Sequence, residues 1–260
     1  RFPYDYVLVD EAQDIGIPQL RLLGAALGER PNALFFTGDL GQRIFQTPFS
    51  WKALGVDLRG RGHRLRINYR TSHQIRLQAD RLLAQRLADV DGYAEDRTHT
   101  ISAFNGPKPL FEECASAEEE QRMVADWLSG LTSYPVKARE IGVFVREEDV
   151  MDRAAAALRQ AGFPYQIIDH DPEVKGEVVS LSTMHRAKGL EFRAVVVMAC
   201  DDDKLPLQSR MDAVSDETDL EEVYNTERHL LYVACTRARD HLLVTGLEPM
   251  SEFVEDMMAG

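Results

Sequence analysis

Short apolar runs alternate with stretches of helical periodicity along nearly the whole of this 260-residue chain. That alternation restricts the fold to open sheets with helices on their faces, an α/β class. "YVLV" (6–9), "ALFFTG" (33–38) and "HRLRI" (63–67) read as strands, and "IPQLRLLGAAL" and "SHQIRLQADRLLAQRL" carry apolar residues at helical spacing. A turn-rich stretch, "AEDRTHTISAFNGPKP" (94–109), interrupts the pattern. The alternation then restarts: strand "PLFEECA", helix "AEEEQRMVADWLSGL", strand "EIGVFVR", helix "DVMDRAAAALRQAG", strand "YQII". "EVVSLST" leads into "MHRAKGLEF", then strand "AVVVMA", helix "LEEVYNTERHLLYVACTRA" and strand "HLLVTG". The spacing predicts two units, residues 1–100 and 107–260, with the boundary near 95–107.

Composition removes several function classes. The three cysteines, Cys114, Cys200 and Cys235, are odd in number and widely separated, which suggests neither a disulfide framework nor a zinc site and fits a reducing, cytoplasmic setting. The longest apolar run, "AVVVMAC" (194–200), is far below the roughly 20 residues of a membrane span. Residues 1–100 hold 14 Lys/Arg against 12 Asp/Glu, so the net charge of −13 comes from the second part. Within the first part, the arginine-rich run "RGRGHRLRINYR" (59–70) is a local positive patch of the kind phosphates attract, or a solvated loop.

The stretch "YVLVDEAQD" (6–14) sets the chemistry. An apolar strand that runs into Asp10 and Glu11 is the layout by which nucleotide hydrolases hold Mg²⁺ and orient an attacking water, although Asp-Glu at a strand end also serves as a turn or helix cap. Farther on, Leu230, Ala234 and Arg237 fall at i, i+4 and i+7, so the arginine continues a stripe that should face protein. A guanidinium placed there needs an anion, either a γ-phosphate or a neighbouring acid.

Five segments in order resemble the motifs of the UvrD/Rep-type superfamily 1 DNA helicases. "DEAQD" (10–14) is similar to motif II, "GDLGQRIF" (38–45) to motif III and "LRINYRTS" (65–72) to motif IV. "VVSLSTMHRAKGLEF" (178–192) is similar to motif V and "ERHLLYVACTRAR" (227–239) to motif VI. The resemblance implies two RecA-like, P-loop NTPase-type open parallel sheets that clamp ATP, the first partial and the second near-complete. It implies Asp10 on Mg²⁺, Glu11 as the base that polarises water, Gln42 as γ-phosphate sensor, Tyr69 stacked on adenine and Arg70 at the γ-phosphate. It implies further that Arg237 is an arginine finger, that Glu191 holds the ATP ribose beside Gly189, and that Thr183 and His185 contact the DNA backbone. The strand-to-helix turn expected at Thr183–Gly189 would offer backbone N–H groups to a phosphate. The implied activity is ATP-driven translocation on single-stranded DNA with duplex unwinding, in DNA repair.

Three departures from the pattern matter. No glycine is followed by lysine, so the P-loop G-x-x-x-x-G-K-[ST] is absent, which predicts an N-terminally truncated chain that hydrolyses no ATP alone. Motif III continues as "QTPFSWKAL" (46–54), where Trp51, or failing it Phe49, stacks a single-stranded base or fills a core. Only about 105 residues separate Ser72 from Val178, so the accessory domain the family inserts there is expected to be small or missing, its role supplied by upstream sequence or by a protein partner. Two alternatives stay open: a translocase subunit of a nuclease or repair complex, and a non-catalytic nucleic-acid-binding or scaffolding module.

Overall fold

The computed structural model describes residues 3–28, 30–45, 49–58, 60–83, 86–88, 91, 94–96, 99–169, 176–214 and 216–259. In chain order its elements are β1 (Val7–Val9), α1 (Ile17–Leu27), β2 (Leu34–Phe36), β3 (Ile67–Asn68), α2 (His73–Ala79), β4 (Arg86–Ala88), β5 (Ala94–Asp96) and β6 (Ile101–Ser102). There follow β7 (Leu110–Cys114), α3 (Ala117–Gly130), β8 (Ile141–Val145), α4 (Met151–Gln160), β9 (Tyr165–Ile167), β10 (Val179–Thr183) and β11 (Phe192–Val197). The last are α5 (Gln208–Asp212), α6 (Glu217–Cys235), β12 (Ala238–Leu247) and α7 (Glu252–Met258). They form two compact units, residues 1–66 with 84–100, and residues 67–83 with 101–260.

The first unit is built on a parallel pair, β1 beside β2, with Leu8 opposite Phe35. Strand alternation puts Val7, Val9, Leu34 and Phe36 on the half-buried face and leaves Leu8 and Phe35 exposed on the other. The helix α1 starts with Pro18 in its first turn, where the missing N–H costs nothing.

In the second unit six strands pair in parallel in the order β7-β12-β11-β8-β10-β9. A parallel sheet covered on both faces selects continuous apolar strands rather than alternation. Accordingly every residue of β8 and β10 is buried. Val143, Val145, Leu181 and Val196 pack with Val124 and Leu128 of α3 and with Ala154 and Leu158 of α4. On the opposite face the Phe144 and Phe192 rings meet edge to face, 5.9 Å between centroids. The helix starts are capped in sequence: Ser116 accepts from the Glu119 N–H ahead of α3, and Asp216 from the Asp219 N–H ahead of α6.

Three features differ from the sequence reading. The expected first unit ended at residue 100, whereas the compact units assign 67–83, the motif IV segment, to the second. Hydrogen bonds explain the assignment: Thr71 Oγ1 donates to the Thr236 carbonyl, the Ser72 N–H to the Arg239 carbonyl and the His73 N–H to the Phe104 carbonyl. Ile75 and Ala79 bury the inward face of α2. The strand expected at 63–67 is confined to Ile67 and Asn68, and the helix expected over 72–87 ends at Ala79 in a tight turn through Leu82. Residues 84–85 of that prediction lie outside the described residues.

Candidate functional site

In the first unit the polar residues of motifs II and III converge where β1 and β2 end. The Asp10 carboxylate accepts from Thr37 Oγ1 and, at 2.9 Å, from the Glu11 N–H. These two donors, the Thr37 hydroxyl first, hold its pKa below the usual carboxylate range and keep it anionic. Glu11 sits in the left-handed region at φ 50°, ψ 45°, an uncommon conformation for a residue with a side chain. The following Ala12 N–H bonds the Thr37 carbonyl and so fixes the turn against β2.

Two residues to which sequence reasoning gave no role complete this cluster. Gln13 is buried, and its Nε2 donates to Glu11 Oε2 at 2.5 Å while its Oε1 accepts the Asp39 N–H at 3.0 Å. Asp39 in turn accepts from the Gly41 N–H and from Gln42 Nε2, both at 2.9 Å. The signal was present in the quoted "DEAQD" and "GDLGQ", but only the fold brings their polar atoms together. A Cβ on Gly38 would lie 2.4 Å from Gln13 Oε1, so the glycine makes room for the amide.

Among the described residues no group of three or more His, Cys, Asp or Glu side chains forms a metal cage. Mg²⁺ in nucleotide sites is commonly held by one or two carboxylates with phosphates and water, and the anionic, exposed Asp10 fits that role. Trp51 packs edge-on against Phe36, 5.0 Å between centroids, and stacks on Phe49 at 5.8 Å. Both expected base-stacking residues are therefore half-buried in one aromatic cluster.

In the second unit the site residues divide between the two edges of the sheet. Glu191 and Arg237 immediately precede β11 and β12, which pair from Phe192 opposite Ala238, so both stand at the amino edge. Arg70 Nε donates to Glu191 Oε2 at 3.2 Å in a half-exposed pair. Tyr69 beside it is 71% exposed, with its ring open to solvent. Gly189 adopts φ 82°, which sets the turn into Glu191. The stripe Leu230, Ala234 and Arg237 is buried as its spacing requires. Arg237 is 1% exposed, and its Nε donates to the Val233 carbonyl at 3.0 Å and its NH1 to the Leu190 carbonyl at 3.4 Å. The guanidinium thus folds onto the last turn of α6, where carbonyl dipoles favour a cation.

At the carboxyl edge, Thr183 ends β10 and His185 follows in the turn Met184–Ala187. The expected helix start at this point is a single four-residue 3₁₀ turn, because Gly189 redirects the chain into β11 before a helix can propagate. Burial, and then the Arg146 guanidinium, push the His185 pKa down to about 4, so the imidazole is neutral at pH 7. Arg146, just past β8, is buried against Glu227 of α6 in a fork of two 2.6 Å bonds. Glu227 also accepts from Arg210 at 2.8 Å and from the Leu207 N–H at 3.2 Å.

Comparison with known proteins gives a consistent direction. Residues 169–248 match the UvrD-like helicase C-terminal domain. The chain is 41% identical over 100 residues to the ATP-dependent DNA helicase UvrD1 of Mycobacterium leprae, covering 38% of this chain and 12% of that protein. It is 24% identical to UvrD2 of Mycobacterium tuberculosis H37Rv, described as an ATP-dependent DNA helicase, over 93% of this chain and 47% of the relative. The chain therefore spans less than half the length of either. The fold is similar to the solved C-terminal domain of a possible DNA helicase from Lactobacillus plantarum WCFS1, with TM-score 0.50 and 20% identity over 73% of this chain and 94% of that one.

Proposed function

We propose that this chain, of UvrD type by its motifs and its matched residues 169–248, carries most of the ATP-hydrolysing apparatus of a DNA-translocating helicase. The observation that carries the reading is the convergence of Asp10, Glu11 and Gln42 at the carboxyl ends of β1 and β2, where open parallel sheets bind ligands. Asp10 would hold Mg²⁺, which when bound offsets charge on the phosphates. Glu11 would accept the proton of the attacking water, and Gln42 would present its amide to the terminal phosphate. Within the second unit, Tyr69 offers an open aromatic face for a planar base, and Arg70 a planar multidentate cation for phosphate. Arg237 would also meet phosphate, after giving up the Val233 and Leu190 carbonyls. Thr183 and His185 would meet the sugar-phosphate backbone of single-stranded DNA, His185 as a neutral hydrogen-bonding group.

The test is steady-state ATP hydrolysis by the full-length protein with Mg²⁺, with and without single-stranded DNA, beside an unwinding assay. Glu11→Gln should abolish turnover while ATP binding survives, since an amide keeps the shape and cannot take a proton. Arg70→Ala and Arg237→Ala should each lower kcat per folded molecule by about 10³-fold, the low end of what arginine fingers supply; the melting temperature should be retained in Arg70→Ala and lowered in Arg237→Ala, whose side chain is buried. A wild-type protein with no DNA-stimulated ATPase would overturn the reading.

A further inference from the structure

We propose that Gln13 is the positioning residue of the hydrolytic site: its amide orients the Glu11 carboxylate and ties it, through Asp39, to Gln42. The inference rests on the function proposed above and adds to it a residue and a connection.

The bonds form an unbroken path. Gln13 Nε2 reaches Glu11 Oε2, the Asp39 N–H reaches Gln13 Oε1, and the Asp39 carboxylate receives Gln42 Nε2. The amide cannot be turned around. A backbone N–H can only donate, so it demands the oxygen of Gln13, and the remaining NH₂ then faces a carboxylate, which only accepts. A side chain with a donor at one end and an acceptor at the other is required, and of the residues of this size only glutamine has both at any pH. Gln13 is 7% exposed, so water replaces neither bond easily. Gly38 leaves room for the amide in this position, because a Cβ there would lie 2.4 Å from Oε1.

The arrangement answers a mechanical need. Glu11 is exposed and follows a residue at a strand end, and a free glutamate side chain samples many rotamers at such a place. A general base must hold one geometry within hydrogen-bond reach of its water. Gln13 supplies that restraint from the buried side. Because the same amide holds Asp39, a change of partner at Gln42 is felt at Glu11 through three short contacts.

The experiment uses the full-length protein with saturating single-stranded DNA and compares Gln13→Met and Gln13→Glu with wild type and Glu11→Gln. Gln13→Met keeps the volume and removes both bonds. It should lower kcat by about 10²-fold, the cost of a base displaced by about 1 Å, with KM for ATP changed by less than about threefold. Gln13→Glu keeps the shape but sets an acceptor against the Glu11 carboxylate, so the positioning bond is lost, and kcat should fall at least as far as in Gln13→Met with KM for ATP again changed by less than about threefold. Should Gln13→Met fail to fold, the kcat and KM of Gln13→Glu decide alone. Wild-type kcat in either variant overturns the inference while active wild type and inactive Glu11→Gln uphold the functional reading. An inactive wild type overturns both.

Discussion

The ion pair between Arg146 and Glu227 allows a sharp energetic prediction. Arg146 is 3% exposed and Glu227 fully buried, and two 2.6 Å bonds join them in a planar fork. In Glu227→Ala the Arg146 guanidinium is left buried without its carboxylate, and breaking such a pair on one side costs about 3–5 kcal/mol. Arg210 adds little to that cost, because its side chain is 37% exposed and can turn to water. With a shift of roughly 2–4 °C per kcal/mol for a domain of this size, Glu227→Ala should melt about 6–20 °C below wild type. The apolar double variant Arg146→Met/Glu227→Leu removes both charges and both desolvation costs, and should recover most of the loss. Thermal unfolding of the two singles and the double, read as a double-mutant cycle, isolates the coupling. If both singles lay within about 1 kcal/mol of wild type, or if their losses simply added in the double, the pair would not hold α6 to β8 as argued.

Three further outcomes can be checked on the same preparations. Burial opposes ionisation of Glu227, but the Arg146 fork outweighs it and its pKa lies below the usual value; its stabilising effect is therefore present above about pH 4.3 and lost as pH falls through the lower, folded value. Acid titration of the melting temperature should show a steep fall below about pH 4.5 that flattens in the apolar double variant. His185→Ala should weaken single-stranded DNA binding without altering the slope of log K against log salt, since a neutral imidazole displaces no counterion; a slope reduced by about 0.7 would mean a charged contact. Gly189→Ala forces a side chain into φ 82° and should cost about 1 kcal/mol or more, lower DNA-stimulated ATPase through Glu191, and leave DNA affinity near wild type, as anisotropy would report.

The second sheet was legible because its central strands β8 and β11 are largely apolar and helices α3 and α6 are amphipathic with their own caps, so these local signals agreed with the fold. The segment 67–83 was misassigned because its anchor is not local. Thr71 and Ser72 bond carbonyls of Thr236 and Arg239, more than 160 residues away, and no periodicity encodes that. The helix expected after Thr183 failed for a different reason, since a glycine at positive φ six residues after Thr183 outweighs propensity. Among the candidate residues, the family resemblance pointed to Asp10, Glu11 and Gln42, and the fold places them in one polar cluster. Gln13 and Asp39 could not be named that way, because a buried amide bridging two loops is recognisable only from the atoms on both sides of it.

The placement of groups in the second unit bears on how DNA and nucleotide would be coupled. Thr183 and His185 stand at the carboxyl edge, whereas Arg70, Glu191 and Arg237 stand at the amino edge, and a five-residue strand separates such edges by about 17 Å. Two connections cross that distance. The chain from Met184 to Glu191 runs from one edge to the other with only the 3₁₀ turn Met184–Ala187 between them. The helix α6 runs parallel to that course: Glu227, clamped to Arg146 near His185, lies eight residues or about 12 Å from Cys235, the last residue before the turn that holds Arg237. Close-packed elements shift as bodies rather than deform, so under the proposed function a displacement of the motif V turn by a bound strand would be delivered to Glu191 by the chain and to Arg237 by the helix. The Arg70–Glu191 pair is the element at the amino edge most easily exchanged, because a half-exposed ion pair is worth at most about 1 kcal/mol. Its replacement by nucleotide contacts would therefore cost little, and under the proposed function the free energy of nucleotide binding would remain available to move the more tightly held Arg237 out of its carbonyl cradle.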